Sequence, residues 1–280
     1  MLLAARNIAK SWLLVLLLAG LFALVGWLLD GVRGLSIFVF CALLLAAGAY
    51  WTFDRVAFGM IGARELPVGE APLLHSTVER LAARAGIMKP RLYLIPDGLP
   101  IAAATGRGVR SSALAVSTGC IAACSPAELE GVLAHEISHV RLHDVQVQTA
   151  AAVAGAVLLE TSRIGGWFER ALLFVLGPIA SACVHLLVSP KREFSADRYA
   201  ATLCDSPHGL ADALLRLEQA AELVEFQGSP ASEPMFTINP FAENGLAALF
   251  VTHPPVAERV RRLRELDPTW RSRVQSEAAA

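Results

Sequence analysis

Two histidines, His135 and His139, stand four residues apart, and Glu136 follows the first of them. On a helix this spacing brings both imidazoles to one face, a turn apart. Two neutral imidazoles in this arrangement bind Zn²⁺, and the glutamate is placed to take a proton from an attacking water. The pattern predicts a metal-dependent hydrolase. The competing interpretation is a helix that carries two surface histidines.

The residues before this pair predict the helix that carries it. Ser125 is a favoured N-cap, Pro126 suits the first helical position, and Glu128 completes a capping box with the serine. Small apolar residues then fill the stretch up to and between the histidines. A strong cap followed by apolar filling favours a built metal site over a chance pair.

A candidate third ligand is Glu193, which opens a second predicted helix. A carboxylate from a separate helix completes a three-residue zinc site and leaves the fourth position for water. Asp197 falls on the same face and could accept the free N–H of a ligating histidine. By spacing alone, a solvated acidic pair explains these two residues equally well. His143 continues the histidine series but would point past the ion, so we expect it beside the site or exposed.

The composition is that of a membrane protein with an attached soluble part. Of the 280 residues, 55% are hydrophobic and 18% charged, and the mean hydropathy is +0.51. These values lie outside the usual range for soluble globular proteins. The net charge of −1 gives no electrostatic sign of nucleic-acid binding. The five cysteines form no zinc or redox motif, which predicts reduced thiols in a cytosol-facing protein.

Apolar segments predict the membrane spans. Trp12–Leu29 and Leu35–Phe53 are long enough to form a transmembrane hairpin, and Ala171–Val188 predicts a third span. Thr149–Leu159 is too short to cross a bilayer alone, and it is either the membrane end of one long helix, which we count as a fourth span, or a buried helix. The chain is thereby predicted to divide into a hairpin at 1–54, a first protease part at 55–148, a second membrane pair at 149–189 and a second protease part at 190–280.

The basic residues predict the orientation of these spans. Arg6 and Lys10 precede the first span, and Arg55 and Arg64 follow the second. Because lysine and arginine are retained on the cytoplasmic side, the N-terminus and the histidine helix should both face the cytoplasm.

Local patterns predict a small sheet and further helices beside the histidine helix. Leu73–Ala85 is an amphipathic helix, and Arg91–Ile95 and Ser112–Ser117 are short strands, with two glycines in a turn before the second strand. Leu210–Phe226 predicts another amphipathic helix. Gln227–Asn244, rich in proline and polar residues, predicts a mobile loop.

Four motifs in order, HEISH, an apolar pair, REFSADRYA and THPPVAERV, resemble the HtpX branch of the M48 membrane-bound zinc metalloproteases. The resemblance implies that His135, His139 and Glu193 bind one zinc ion. It implies that Glu136 is the general base and acid, and that Asp197 orients a ligand histidine. The implied fold is a mainly α integral membrane protein, in which transmembrane helices carry a zincin-like α+β metalloprotease domain with a small β-sheet.

The same resemblance places His253 and Arg259 near the metal, where they could stabilise the oxyanion formed on attack. A capping turn and a basic surface helix remain the alternative for these two residues. The segment Pro100–Thr105, which runs into ATGR at Ala104–Arg107, would be an edge strand that pairs with an extended substrate.

Two segments depart from the family pattern. Ile101–Ala104 stands where Asn-Ala-Phe-Ala is usual, so the details of substrate pairing differ. Leu142 and His143 stand where Asn-Gly is common.

The predicted function is that of a zinc-dependent endopeptidase in the bacterial inner membrane, with its active site at the cytoplasmic face. Its predicted substrates are misfolded membrane proteins or their cytosolic segments, in protein quality control and the stress response. Its expected partners are therefore protein substrates and the lipid bilayer. Three alternatives stay open: a catalytically silent scaffold or regulator with a structural zinc, a prenyl-protein protease, and a small transporter. Transport is disfavoured because the spans contain almost no charged residues.

Overall fold

The computed structural model describes residues 61–152, 188–223, 230–240 and 250–268 without gaps, and scattered positions within 20–44, 58–59 and 174–185. The predicted spans Trp12–Leu29, Leu35–Phe53, Thr149–Leu159 and Ala171–Val188 lie mostly outside these residues. Among the positions that are described, no helix combines the length and the apolar character needed to cross a membrane.

A four-stranded mixed sheet has the order β1-β2-β4-β3. Strands β2 and β4 are parallel, with Leu92 opposite Leu114, and β3 runs antiparallel to β4, with Ala102 opposite Val116. Every residue of β4 after Ser111 is buried, because this strand lies between two others. The outermost strand on this side is β3. The strands are β1 (Arg64–Glu65), β2 (Arg91–Ile95), β3 (Ala102–Gly108) and β4 (Ser111–Ser117).

The two predicted strands are confirmed, β2 with identical bounds and β4 beginning one residue earlier. The turn predicted at Gly106 and Gly108 is wrong. Both glycines belong to β3, and the pairing with β4 shifts register between them, as in a β-bulge.

Helices make up most of the described chain. They are α1 (Pro72–Ala85), α2 (Thr118–Ala123), α3 (Pro126–Arg141), α4 (Pro190–Cys204), α5 (His208–Leu223), α6 (Val256–Glu265) and a 3₁₀ helix (Pro230–Met235). The predicted helices Leu73–Ala85 and Leu210–Phe226 correspond to α1 and α5. The predicted combination of mainly helical structure with a small sheet is therefore confirmed for the part of the chain that is described.

Helix α3 is the centre of the fold. Its predicted capping box is present: the Ser125 hydroxyl accepts from the Glu128 backbone N–H, and the Glu128 carboxylate accepts from the Ser125 N–H. The helix packs against α1, α4, α5 and β3, and every residue from 131 to 140 is buried. Its approach to α5 is close, since a methyl group at Gly131 would lie 2.5 Å from the Leu210 nitrogen.

Helix α3 ends at Arg141, before a turn, and a new helical stretch covers 144–152. His143 in this turn has φ 61°, a left-handed conformation that glycine and asparagine adopt more readily than histidine. The Asn-Gly that is common here in the resembled family fits this backbone. The turn redirects the chain immediately after the second histidine of the site.

The prediction of a mobile loop at Gln227–Asn244 is wrong for residues 230–238, which the structure describes. These residues form the 3₁₀ helix and a short extension in which Phe236 forms an antiparallel bridge with Ala103 of β3. Met235 and Phe236 are both 2% exposed and pack into the apolar cluster that also contains Ala103. The free energy gained by burying these apolar side chains offsets the conformational entropy lost when the segment becomes ordered. The polar composition of the segment had predicted the opposite balance.

Candidate metal centre

Three buried side chains converge between α3 and α4. His135 and His139 come from α3, and Glu193 comes from the first turn of α4. The Nε2 atoms of the two histidines lie 3.1 Å apart. His135 Nε2 lies 3.4 Å from Glu193 Oε2, and His139 Nε2 lies 3.4 Å from Glu193 Oε1. A tetrahedral ion with bonds of about 2.0–2.1 Å holds its ligands about 3.3 Å apart. The two imidazoles, each facing one oxygen of the Glu193 carboxylate, are therefore spaced closely enough to bind one such ion together with that carboxylate.

One carboxylate oxygen supports the fit to a cation. Glu193 is 2% exposed, and its Oε2 has no hydrogen-bond donor among the described residues. A buried acceptor without a donor is costly unless a ligand satisfies it. A cation bound between the two imidazoles and Glu193 would supply that partner.

Behind His135, a carboxylate and a guanidinium stabilise the ring. Asp197 Oδ1 lies 3.0 Å from His135 Nδ1. Arg259 donates to both Asp197 oxygens, from Nε at 2.9 Å and from Nη2 at 2.7 Å. This bidentate pair holds the carboxylate against the imidazole and leaves Nε2 to face the site. Asp197 thus lies where it can orient a ligand histidine.

The other imidazole has an equivalent support that the sequence did not reveal. Asp144 Oδ2 lies 3.2 Å from His139 Nδ1. Arg192 donates from Nε to Asp144 Oδ1 at 2.7 Å and from Nη2 to the Asp144 backbone oxygen at 2.9 Å. The turn at His143 returns Asp144 toward His139. Two features of the sequence could have indicated this support: the acidic Asp144 lies just after the turn that ends α3, and Arg192 directly precedes Glu193.

The electrostatics of the site favour a bound positive charge. Burial by itself raises the pKa of Glu193, but the imidazoles of His139 and His253 lower it well below its usual range, so the carboxylate is ionised. Burial by itself lowers the pKa of His139, but the carboxylates of Glu193 and Asp144 raise it to about 10. Without metal the site therefore holds a proton, which a metal ion would displace on binding.

Glu136 directly follows His135 on α3 and is 1% exposed. Its Oε1 accepts a hydrogen bond of 2.7 Å from the Thr237 hydroxyl. Its Oε2 has no hydrogen-bond donor among the described residues. The carboxylate thus has one oxygen held by the protein and one available for proton transfer, as a general base needs.

His253 approaches the same site from the segment before α6. Its Nε2 lies 3.8 Å from Glu193 Oε2, and its side chain is 6% exposed. Glu233 accepts from His253 Nδ1 at 2.7 Å, and it also accepts from the Thr252 backbone and hydroxyl. Glu233 was missed because it lies in the segment predicted as a loop.

Arg259 is fully buried and lies 3.5 Å from Glu193 Oε2. Arg261 and Arg262 on the same helix are instead about half exposed, with exposed side-chain fractions of 56% and 49%. The interpretation of α6 as a basic surface helix therefore holds for Arg261 and Arg262 but not for Arg259.

The expected substrate strand lies at the edge of the sheet, as β3. Part of this edge is covered by the protein's own residues: the Thr237 N–H donates to the Ala102 oxygen at 3.1 Å, and Gln146 Nε2 donates to the Arg107 oxygen. A substrate that adds to β3 therefore meets an edge that is already partly paired.

Sequence comparisons agree with these features. Residues 69–267 match the model of Peptidase family M48. A protease HtpX homolog of Persephonella marina is 40% identical, over 92% of this chain and 96% of the relative. Homologs from Pelotomaculum thermopropionicum and Pyrococcus furiosus are each 38% identical, over 92% of this chain and over 98% and 95% of their own lengths.

The crystal structure of S. mikatae Ste24p aligns with a TM-score of 0.46 at 20% identity, over 94% of this chain and 66% of that chain. The family assignment rests on the sequence matches, which cover most of the chain at 38–40% identity. This chain therefore belongs to peptidase family M48 and is an HtpX-like metalloprotease.

Proposed function

We propose that this protein is a zinc-dependent endopeptidase in which His135, His139 and Glu193 hold one Zn²⁺. The observation that carries the proposal is the buried triangle of two Nε2 atoms and one carboxylate, with separations of 3.1–3.4 Å, beside the Glu136 carboxylate. Nitrogen and carboxylate donors at these spacings suit zinc better than calcium or magnesium, which prefer oxygen ligands.

When bound, zinc would polarise the scissile carbonyl and lower the pKa of the attacking water. Glu136 takes a proton from that water through the free Oε2, and the same carboxyl then gives the proton to the leaving amine nitrogen. One proton is thereby carried from water to amine in each cycle, and the carboxylate is regenerated.

His253 is the donor we assign to the oxyanion that develops on the carbonyl oxygen. Burial alone lowers the pKa of His253, but the carboxylates of Glu233 and Glu193 raise it overall. Glu233 fixes Nδ1, so the Nε2–H is directed to the site. Arg259, which is bonded to Asp197 and to Thr237, acts instead by positioning.

The membrane arrangement we propose has a hairpin at 1–54, a protease domain in two parts at 55–148 and 190–280, and a second membrane pair at 149–189. The long apolar segments of the sequence and the resemblance to the membrane-bound HtpX branch support it. The hairpin is further supported by the described residues, since a methyl group at Gly34 would collide with the Gly26 carbonyl oxygen. The chain thus folds back tightly between these glycines.

Basic residues before the first span and after the second support a cytoplasmic site in the bacterial inner membrane. A site near the bilayer surface suits substrates that are misfolded membrane proteins or their cytosolic segments. Such unfolded segments can add to β3 as an extended strand, once the residues that cover its edge give way. The role we propose for the protease is therefore protein quality control.

The test compares Glu136→Gln, Glu193→Ala and wild type, purified in detergent and supplied with unfolded casein. Glu136→Gln should bind one zinc per chain and cleave at less than a hundredth of the wild-type rate, because the amide cannot accept the proton. Glu193→Ala should lose both zinc and cleavage. Wild-type cleavage by Glu136→Gln would refute the proposed mechanism.

A matched control is Glu130→Gln, which makes the same substitution on the same helix. Glu130 pairs with Arg80 on α1 at 2.6 Å, so this variant should keep both zinc and activity. Should Glu136→Gln instead complement a deletion strain fully, a catalytically silent scaffold would replace the peptidase assignment.

A further inference from the structure

Thr237 lies where three parts of the site meet. It is 1% exposed, and all of its polar groups are used. Its N–H donates to Ala102 on the edge strand at 3.1 Å, its hydroxyl donates to Glu136 at 2.7 Å, and its carbonyl accepts from Arg259 at 2.6 Å. One residue therefore connects the substrate edge, the general base and the arginine behind His135.

The hydroxyl is the contact with chemical consequences. The Thr237 hydroxyl has a single proton, and it donates this proton to Glu136 Oε1 at 2.7 Å. The alternative acceptor, the Ala102 oxygen, lies at 3.5 Å from the hydroxyl and is already bonded by the Thr237 N–H. The hydrogen bond to Glu136 is therefore the one that forms.

A glutamate carboxylate rotates freely about its last torsion, because that torsion has a broad energy profile. Fixing Oε1 removes this freedom and decides which oxygen faces the site. The other oxygen, Oε2, is the one without a donor among the described residues. The threonine thus selects the oxygen that exchanges the proton.

The backbone of Thr237 extends this control to the substrate strand. Because its N–H pairs with Ala102 and Phe236 bridges Ala103, the backbone that carries the hydroxyl is fixed against β3. A displacement of the 235–237 segment would change the Glu136 orientation together with the edge of β3.

We propose that Thr237 is a positioning residue that orients the Glu136 carboxylate for proton transfer. This inference rests on the proposed role of Glu136 as general base. Loss of the hydroxyl should lower kcat by about 10- to 100-fold, since misplacement of a catalytic group by about 1 Å has effects of this size. KM should change less than twofold, because the substrate contacts remain.

The experiment measures kcat, KM, zinc content and unfolding temperature for Thr237→Val and Thr237→Ser with a fluorogenic peptide. Valine preserves the shape without the hydroxyl, and serine preserves the hydroxyl without the methyl group. We expect full zinc in both variants, a low kcat for valine and a kcat within about threefold of wild type for serine. Thr202→Val is the control, since the exposed Thr202 on α4 donates its hydroxyl only within its own helix, to the Arg198 oxygen, and this variant should keep the wild-type kcat.

Equal kcat values for Thr237→Val and wild type would overturn the proposal, and so would a serine variant as slow as the valine variant. If Thr237→Val loses zinc or does not fold, comparison of Thr237→Ser with Thr237→Ala decides by the same criterion. Glu136→Gln, measured in parallel, distinguishes failure of the proposed general base from failure of the proposed role of Thr237. An active Glu136→Gln rejects the general base, whereas an inactive one beside a fully active Thr237→Val rejects only the role of Thr237.

Discussion

Replacing Asp144 or Asp197 by asparagine should weaken zinc binding by about 10- to 100-fold in each case, the effect usual for a carboxylate behind a ligand histidine. This corresponds to about 1.4–2.7 kcal/mol of binding free energy. Asp197 lies 3.0 Å from His135 Nδ1, and Asp144 lies 3.2 Å from His139 Nδ1. Asparagine keeps the shape but removes the negative charge that makes each imidazole a better donor to the metal.

The two substitutions should differ in size. Arg259 donates two hydrogen bonds to the Asp197 carboxylate itself, whereas Arg192 donates one of its bonds to the Asp144 backbone oxygen, which the substitution leaves in place. Asp197→Asn should therefore have the larger effect and also lower the unfolding temperature. Because the two aspartates support different histidines, we expect their effects to multiply, so that the double variant binds zinc about 10²- to 10⁴-fold more weakly than wild type.

The assay is competition for zinc between the chelator-stripped protein and a fluorescent chelator of known affinity, in detergent at constant pH. Asp212→Asn is the control, since Asp212 pairs with Arg264 between α5 and α6 at 2.6 Å. Wild-type zinc affinity in Asp144→Asn would refute the paired support of the two imidazoles. A double variant no weaker than Asp197→Asn alone would refute their independence.

Three further predictions concern stability. Gly131→Ala should lower the free energy of unfolding by about 1–3 kcal/mol, because the added methyl group meets the Leu210 backbone, whereas Gly69→Ala, with no atom within 4 Å, should be neutral in denaturant titrations. His143→Gly should raise the free energy of unfolding by about 0.5–1 kcal/mol, because glycine adopts the φ of 61° at this position without strain. A glycine variant less stable than wild type would contradict the left-handed turn. Chelation should lower the melting temperature and zinc should restore it, as stabilisation reaches about 4 kcal/mol at a thousandfold excess over Kd. An unchanged melting temperature would argue against a buried metal site.

The sequence alone determined the features that arise from local interactions. The capping box, the proline at the helix start and the histidine spacing predicted α3 with His135, Glu136 and His139 on it, because helix geometry depends on residues three and four apart. The bounds of β2 and β4 were predicted equally well, since apolar residues between turn signals mark short strands. Motif order along the chain also predicted the family.

Only the tertiary structure decided which distant side chains complete the site. By spacing alone Glu193 was equally a surface residue, and the packing of α4 against α3 placed it 3.4 Å from both imidazoles. Glu233 and Thr237 lie in a segment whose polar composition predicted a loop. The apolar surface of β3 buries Phe236 between them, so burial overrides composition there. Such contacts depend on the free energy of packing remote segments, which no local pattern encodes.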